Sequence, residues 1–69
     1  MNKDILSQKR ITATEKEILE YLVLGMKNKE IAKKMLISVS TVKKHLESIY
    51  YKLGVHNRMQ AIYIAFIEK

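Results

Sequence analysis

An all-α domain of four helices is what this sequence predicts, and three observations carry the prediction. Its 69 residues include no Pro and only two Gly, so nothing breaks a helix inside the apolar-patterned stretches. Lys, Glu, Leu and Ile are frequent, and apolar residues recur three and four apart rather than in strict alternation. Polar start residues and the two Gly fall between those stretches, where helices begin and stop.

Residues 1–10 are polar and are expected to form a flexible N-terminal segment, with Ile5 and Leu6 docking on the core. The folded domain is assigned to residues 11–69. Its first helix should start at Thr12, whose hydroxyl caps while Glu15 reaches back in a T-x-x-E box. Ile18, Leu19, Leu22 and Val23 form its buried stripe, and Gly25 is its left-handed stop. The second helix has Asn28 or Lys27 at its cap and Glu30 near its positive end. Ile31, Ala32, Met35 and Leu36 face inward.

After a short turn through Leu36 and Ile37, Ser38 caps a third helix with the clearest periodicity in the chain. Val39, Val42, Leu46, Ile49, Tyr50 and Leu53 share one face; Ser40, Lys43, Lys44, Glu47, Ser48 and Tyr51 share the other. Gly54 closes it. Asn57 then caps a fourth helix from Arg58 to about Ile67.

A chain of this length builds one core, since about 60 residues bury only ~60% of their unfolded surface. Without Cys, neither a disulfide nor the common zinc sites can reinforce it, so helix packing must, with or without self-association. The composition, 48% apolar and 29% charged, is that of a globular domain. No apolar run follows Met1 as a signal peptide requires, and none reaches the ~20 residues of a membrane span. The expected location is the cytoplasm.

The net charge of +6 points to a polyanionic partner, and its distribution says more. Residues 27–52 hold Lys27, Lys29, Lys33, Lys34, Lys43, Lys44 and Lys52 against Glu30 and Glu47, a balance of +5. Residues 11–26 hold Lys16 against Glu15, Glu17 and Glu20, a balance of −2. A face selected only for solubility interleaves its signs, whereas here the first helix is acidic and the next two are basic. Two short helices joined by a tight turn, the second with a basic outward stripe, form the arrangement that enters a DNA major groove.

The residues themselves resemble a known family. Ile11 to Leu19 (ITATEKEIL), Gly25, and Asn28-Lys29-Glu30-Ile31-Ala32 are similar to the first half of the LuxR-type (GerE-like) helix-turn-helix domain of bacterial transcription regulators. Ile37-Ser38, Thr41-Val42-Lys43, His45, Lys52-Leu53-Gly54-Val55, Arg58 and Ala61 match the second half, in order and with the family's spacing. The resemblance covers roughly residues 11–66 and implies a four-helix fold whose third helix lies in the major groove and whose fourth forms a dimer contact. Carried over by position, it makes Lys43, Lys44 and Glu47 the base-reading residues. Lys can donate to guanine O6 and N7, and Glu can accept from cytosine N4. It places Asn28, Lys29, Ser40, Thr41 and His45 near the DNA backbone, with Lys52 as a further phosphate contact. Thr14 departs from the family's usual Arg, and Lys27 from the usual capping Ser, which shifts the cap towards Asn28. Glu47 also lies at helical spacing from Lys43 and Lys44; base selectivity is preferred to pairing with them.

Chemistry is not expected. His45 and His56 stand eleven apart with neither Cys nor a carboxylate pair beside them, so no metal is expected, and His45 reads as a backbone contact or a packing group. Glu15, Glu17 and Glu30 suit capping and helix-dipole roles. No phosphate loop, nucleophile motif, cofactor or small-molecule site is expected. On the fourth helix Ala61, Ile62 and Ala65 face the core, leaving Met59, Tyr63, Phe66 and Ile67 as an apolar stripe. A homodimer through that stripe is favoured over cover by Ile5 and Leu6.

The expectation is therefore a DNA-binding regulator that recruits or blocks RNA polymerase. The start at Met1 favours a stand-alone regulator over an excised effector domain. The rival readings are a helix-turn-helix scaffold that docks on polymerase or another regulator, and an anionic-membrane binder. The second is disfavoured because the basic and apolar faces do not form one interfacial helix.

Overall fold

The computed structural model describes residues 5–67, apart from the side chains of Ile5 and Ser7. One helical turn, α1 (Ile5–Gln8), precedes the four expected helices: α2 (Ala13–Val23), α3 (Asn28–Met35), α4 (Val39–Leu53) and α5 (Arg58–Ile67). No strand occurs among the described residues. The main packing pairs are α2 on α5 and α3 on α4, with α4 also touching α2 and α5.

Each start follows from side-chain chemistry. Thr12 and Glu15 form the reciprocal box at α2: Thr12 Oγ1 accepts from the Glu15 amide at 3.1 Å and Glu15 Oε1 from the Thr12 amide at 2.9 Å. Ser38 caps α4 by accepting from the Thr41 amide at 3.0 Å, and Asn57 caps α5 by accepting from the Gln60 amide at 2.9 Å. At α3 the residue in the capping position is Lys27, not Asn28. An ammonium side chain has no acceptor to offer, so only the return half of the box forms, with Glu30 Oε1 accepting from the Lys27 amide at 2.7 Å.

The stops share one design. At Arg10, Leu36, Gly25 and Gly54 the chain turns left-handed, with φ of 62°, 59°, 85° and 71°. The next amide then reaches back five residues: Ile11 to Leu6, Met26 to Tyr21, Ile37 to Ala32 and Val55 to Tyr50, all at 3.0–3.1 Å. Ile11, Met26, Ile37 and Val55 then fold back onto the core, as the apolar residue after such a stop commonly does.

The core is continuous across all five segments. Ile18, Leu19 and Leu22 of α2, Ile31 and Ala32 of α3, Val42, Leu46, Ile49 and Leu53 of α4, and Ala61 and Ala65 of α5 are all buried. Leu6 joins them, as expected; the docking expected of Ile5 concerns a side chain outside those described. Val23, Met35 and Tyr50 are half-buried, and two expected core residues are not in the core. Leu36 is 91% exposed because the left-handed stop swings its side chain away from the inward face of α3. Val39, the first residue of α4, is 37% exposed at the helix end.

One charged group is buried among the described residues, and it ties α2 to α4. Glu15 Oε1 accepts from Lys52 Nζ at 2.8 Å, and Glu15 Oε2 accepts from Ser48 Oγ at 2.8 Å. Lys52 also donates to the Arg10 carbonyl at 3.2 Å. Ser48, expected on the outward face of its helix, is thus turned inward by the carboxylate. Burial works to raise the pKa of Glu15, but the hydrogen bonds from Lys52, the Thr12 amide and Ser48 outweigh it and hold the carboxyl below its ordinary value.

Two predictions follow from these local features. A depressed folded-state pKa means that the Glu15 contribution is complete above the unfolded carboxyl value of ~4.3 and is lost as pH falls through the lower folded value. Glu15→Gln should therefore flatten the acid limb of a stability-versus-pH curve. It should also lower stability near neutrality by about 1–2 kcal/mol, the low end for a partly wet ion pair. Chemical denaturation from pH 7 down to pH 3 measures both. Leu36→Gly should raise stability by about 0.5–1 kcal/mol, because a side chain this exposed gains little from burial while its left-handed backbone is strained. For a domain of this size that is a Tm increase of roughly 2–8 °C in a thermal melt.

Candidate nucleic-acid interface

α3 and α4, joined only by Leu36, Ile37 and Ser38, form the helix-turn-helix. α4 is held by its buried seam of Val42, Leu46, Ile49 and Leu53, and this decides what its other side presents. Lys43, Lys44 and Glu47 are all exposed on the turns facing away from that seam, together with Ser40. Among the described residues Glu47 forms no ion pair with Lys43 or Lys44. The carboxylate therefore stands alongside the two ammonium groups without being neutralised by them.

The residues expected near phosphate divide into two groups. Lys29 and Ser40 are exposed, and Thr41 is half-buried with its hydroxyl 2.9 Å from Ser38 Oγ. His45 is half-buried on the flank of α4. Asn28 opens α3, and its Oδ1 accepts from Arg58 Nη1 at 2.8 Å, which leaves its amide NH2 as the group able to donate outward. Lys52 differs from the rest. Its ammonium is 2.8 Å from Glu15 and is bound as well to the Arg10 carbonyl, so its charge is compensated inside the domain.

Arg58 is a residue to which sequence reasoning gave no role beyond a family match. Its guanidinium joins α5 to α3 and to the turn before α3, donating to Asn28 Oδ1 and, at 2.6 Å, to the Met26 carbonyl. It thereby fixes the start of α3 against the start of α5. A shallow groove of about 490 Å³ opens there, with Lys27, Asn28, Lys29, Val39, Lys43 and Arg58 around it. Its rim is strongly cationic, and the exposed Val39 lies on it. The joint presence of Asn28 and Arg58 in the family pattern was the only sequence signal for this tie, since thirty residues separate them.

On α5, Ala61 and Ala65 face the core and Ile62 is half-buried. Met59, Tyr63, Phe66 and Ile67 are 73%, 65%, 64% and 50% exposed. They share one side of the helix, and with Leu6 already in the core they remain uncovered by the described N-terminal residues. No described helix is long and apolar enough to cross a membrane. No three His, Asp or Glu side chains among the described residues come together as a metal site requires.

Comparison with known proteins agrees with this geometry. Residues 9–65 match the family model described as bacterial regulatory proteins, luxR family. The chain is 51% identical over 59 residues to the putative HTH-type transcriptional regulator YhjB of Escherichia coli K12, covering 86% of this chain and 30% of that protein. It is 48% identical over 52 residues to the CsgBAC operon transcriptional regulatory protein of the same strain, covering 75% of this chain and 24% of that one. A crystal structure of the response regulator ChrA of a heme-sensing two-component system superimposes with a TM-score of 0.80 at 48% identity, over 84% of this chain and 29% of that one. The chain thus spans 24–30% of the length of these relatives. The family is one of regulators, not enzymes. With its four-helix core, its tight turn and its outward Lys43–Lys44–Glu47 stripe, the chain belongs to the luxR family of bacterial regulatory proteins and carries that family's DNA-binding helix-turn-helix domain.

Proposed function

We propose that the domain reads DNA sequence by laying α4 in the major groove, with Lys43, Lys44 and Glu47 on base edges. The observation that carries this reading is the exposure of all three on the side of α4 facing away from its buried seam. The two lysines suit guanine O6 and N7, and the unpaired Glu47 suits cytosine N4. Lys29, the Asn28 amide, Ser40, Thr41 and His45 surround this stripe and suit phosphate, which sets register without reading sequence. Lys52 acts differently in this scheme: bound to Glu15, it positions α4 and is not a phosphate ligand.

The working unit is a homodimer through Met59, Tyr63, Phe66 and Ile67. An apolar stripe this exposed on a 69-residue chain suits a two-fold contact. Two copies would then place their α4 helices on half-sites one turn apart, ~34–36 Å between centres. Bound there, the protein recruits or blocks RNA polymerase, in keeping with relatives that are named as transcriptional regulators.

Selection of bound sites from a random duplex library tests the first part. A two-fold related motif is the expected product, and Lys43→Ala with Lys44→Ala should weaken binding to it by roughly a hundredfold, at about 1–3 kcal/mol per lost base contact. The melting temperature should stay unchanged, as both side chains are exposed. Salt-dependent binding with no enriched motif would instead favour a scaffold that docks on another protein. For the second part, Tyr63→Ser with Phe66→Ser should sediment as a folded monomer and lose affinity for the two-fold site. Sedimentation identical to that of the parent chain would count against the dimer.

A further inference from the structure

The outward side of α4 does not end at Glu47. One turn further on stands Tyr51, which is 87% exposed. At ~100° per residue it lies roughly 170° around the helix from the centre of the Val42, Leu46, Ile49 and Leu53 seam, as Lys44 does. No residue of α4 points more directly away from the core than these two. The neighbouring Tyr50 is half-buried, and Tyr21 donates its hydroxyl to Glu17 at 2.8 Å. The Tyr51 hydroxyl has no hydrogen-bond partner among the described residues. Neither packing nor an internal hydrogen bond accounts for an aromatic ring held so far into water.

Its height along the helix decides what it can reach. Tyr51 lies ~6 Å beyond Glu47 and ~10.5 Å beyond Lys44 along the axis. The major groove is only ~12 Å wide, and recognition helices read bases with their N-terminal residues. When Lys43, Lys44 and Glu47 are on base edges, the turn that carries Tyr51 has therefore reached the wall of the groove. What lines that wall is phosphate. A phenol is a neutral donor, and Tyr is among the side chains that hold the backbone of a duplex.

Resting on the reading of α4 as the groove-bound helix, we propose that Tyr51 is a further DNA-contacting residue, whose hydroxyl donates to a phosphate oxygen at the groove edge beyond Glu47. It fixes how deeply α4 sits and carries no sequence information. Its signature differs from that of the lysines. A neutral donor releases no counterion, so its loss weakens binding without changing the salt slope, whereas each lost phosphate-bound Lys lowers the slope by about one.

The test uses the whole chain and the duplex recovered from the random library, titrated at several salt concentrations together with its single-base variants. Tyr51→Phe should bind roughly three- to tenfold more weakly, the effect of losing one hydrogen bond of ordinary net strength at a wet groove edge. The loss should be the same across the single-base variants, with an unchanged salt slope and an unchanged melting temperature. Affinity equal to that of the parent chain overturns the assignment. A loss confined to one base position also overturns it, because the ring would then be reading a base. A parent chain that enriches no duplex overturns the DNA reading and this assignment with it, whereas a parent that binds beside an unaffected Tyr51→Phe overturns the assignment alone.

Discussion

α4 has to be two things at once, the central wall of the core and the surface that faces outward, and the rest of the structure is arranged around that constraint. Its four seam residues are at most 5% exposed, which leaves the helix no freedom to roll about its axis. A rotation of one residue would put Lys43 into the core or Val42 into water. The identity of the outward residues is thus set by the packing of the inward ones. α3 lies along one flank of α4, while α2 and α5 close the other sides.

Polar ties complete what apolar packing leaves loose. The Glu15 carboxylate takes hydrogen bonds from Thr12, Lys52 and Ser48, so one group starts α2 and also fixes the C-terminal half of α4. Arg58 does the corresponding work at the other end, joining the start of α3 to the start of α5. Through it, the cationic groove beside Asn28 and Lys29 is coupled to the helix that carries the exposed apolar stripe. The acidic character of α2 takes on a purpose in this light, since it supplies the carboxylate that neutralises one lysine of an otherwise basic helix.

The fold was legible because its signals are local. The Thr12 box, the Ser38 and Asn57 caps and the two Gly stops involve residues three to five apart, and the seam of α4 repeats at helical spacing. What escaped the sequence is non-local or depends on the backbone. Glu15 and Lys52 are thirty-seven residues apart, and no periodicity relates them. Ser48 looked outward by spacing alone, and only a buried carboxylate across the core turns it in. Leu36 satisfied the inward pattern of α3, but a left-handed φ at the helix end overrides pattern by redirecting the side chain. The exposure of Lys43, Lys44, Glu47 and Tyr51 was legible, because helical spacing relative to a clear apolar seam leaves only one side for them.

The four left-handed stops carry a kinetic consequence. Each is written within six consecutive residues and seats its own apolar anchor, so the hydrogen bonds that end each helix need no distant part of the chain. The connections between consecutive helices are short, and the entropy of closing each is correspondingly small. Helical domains dominated by such near-neighbour contacts fold in roughly microseconds to milliseconds. A ribosome adding about 5–20 residues per second takes longer than that to extend a chain by one amino acid. The domain is therefore assembled almost as soon as its last helix is clear of the ribosome, and the supply of folded domain follows synthesis without a lag.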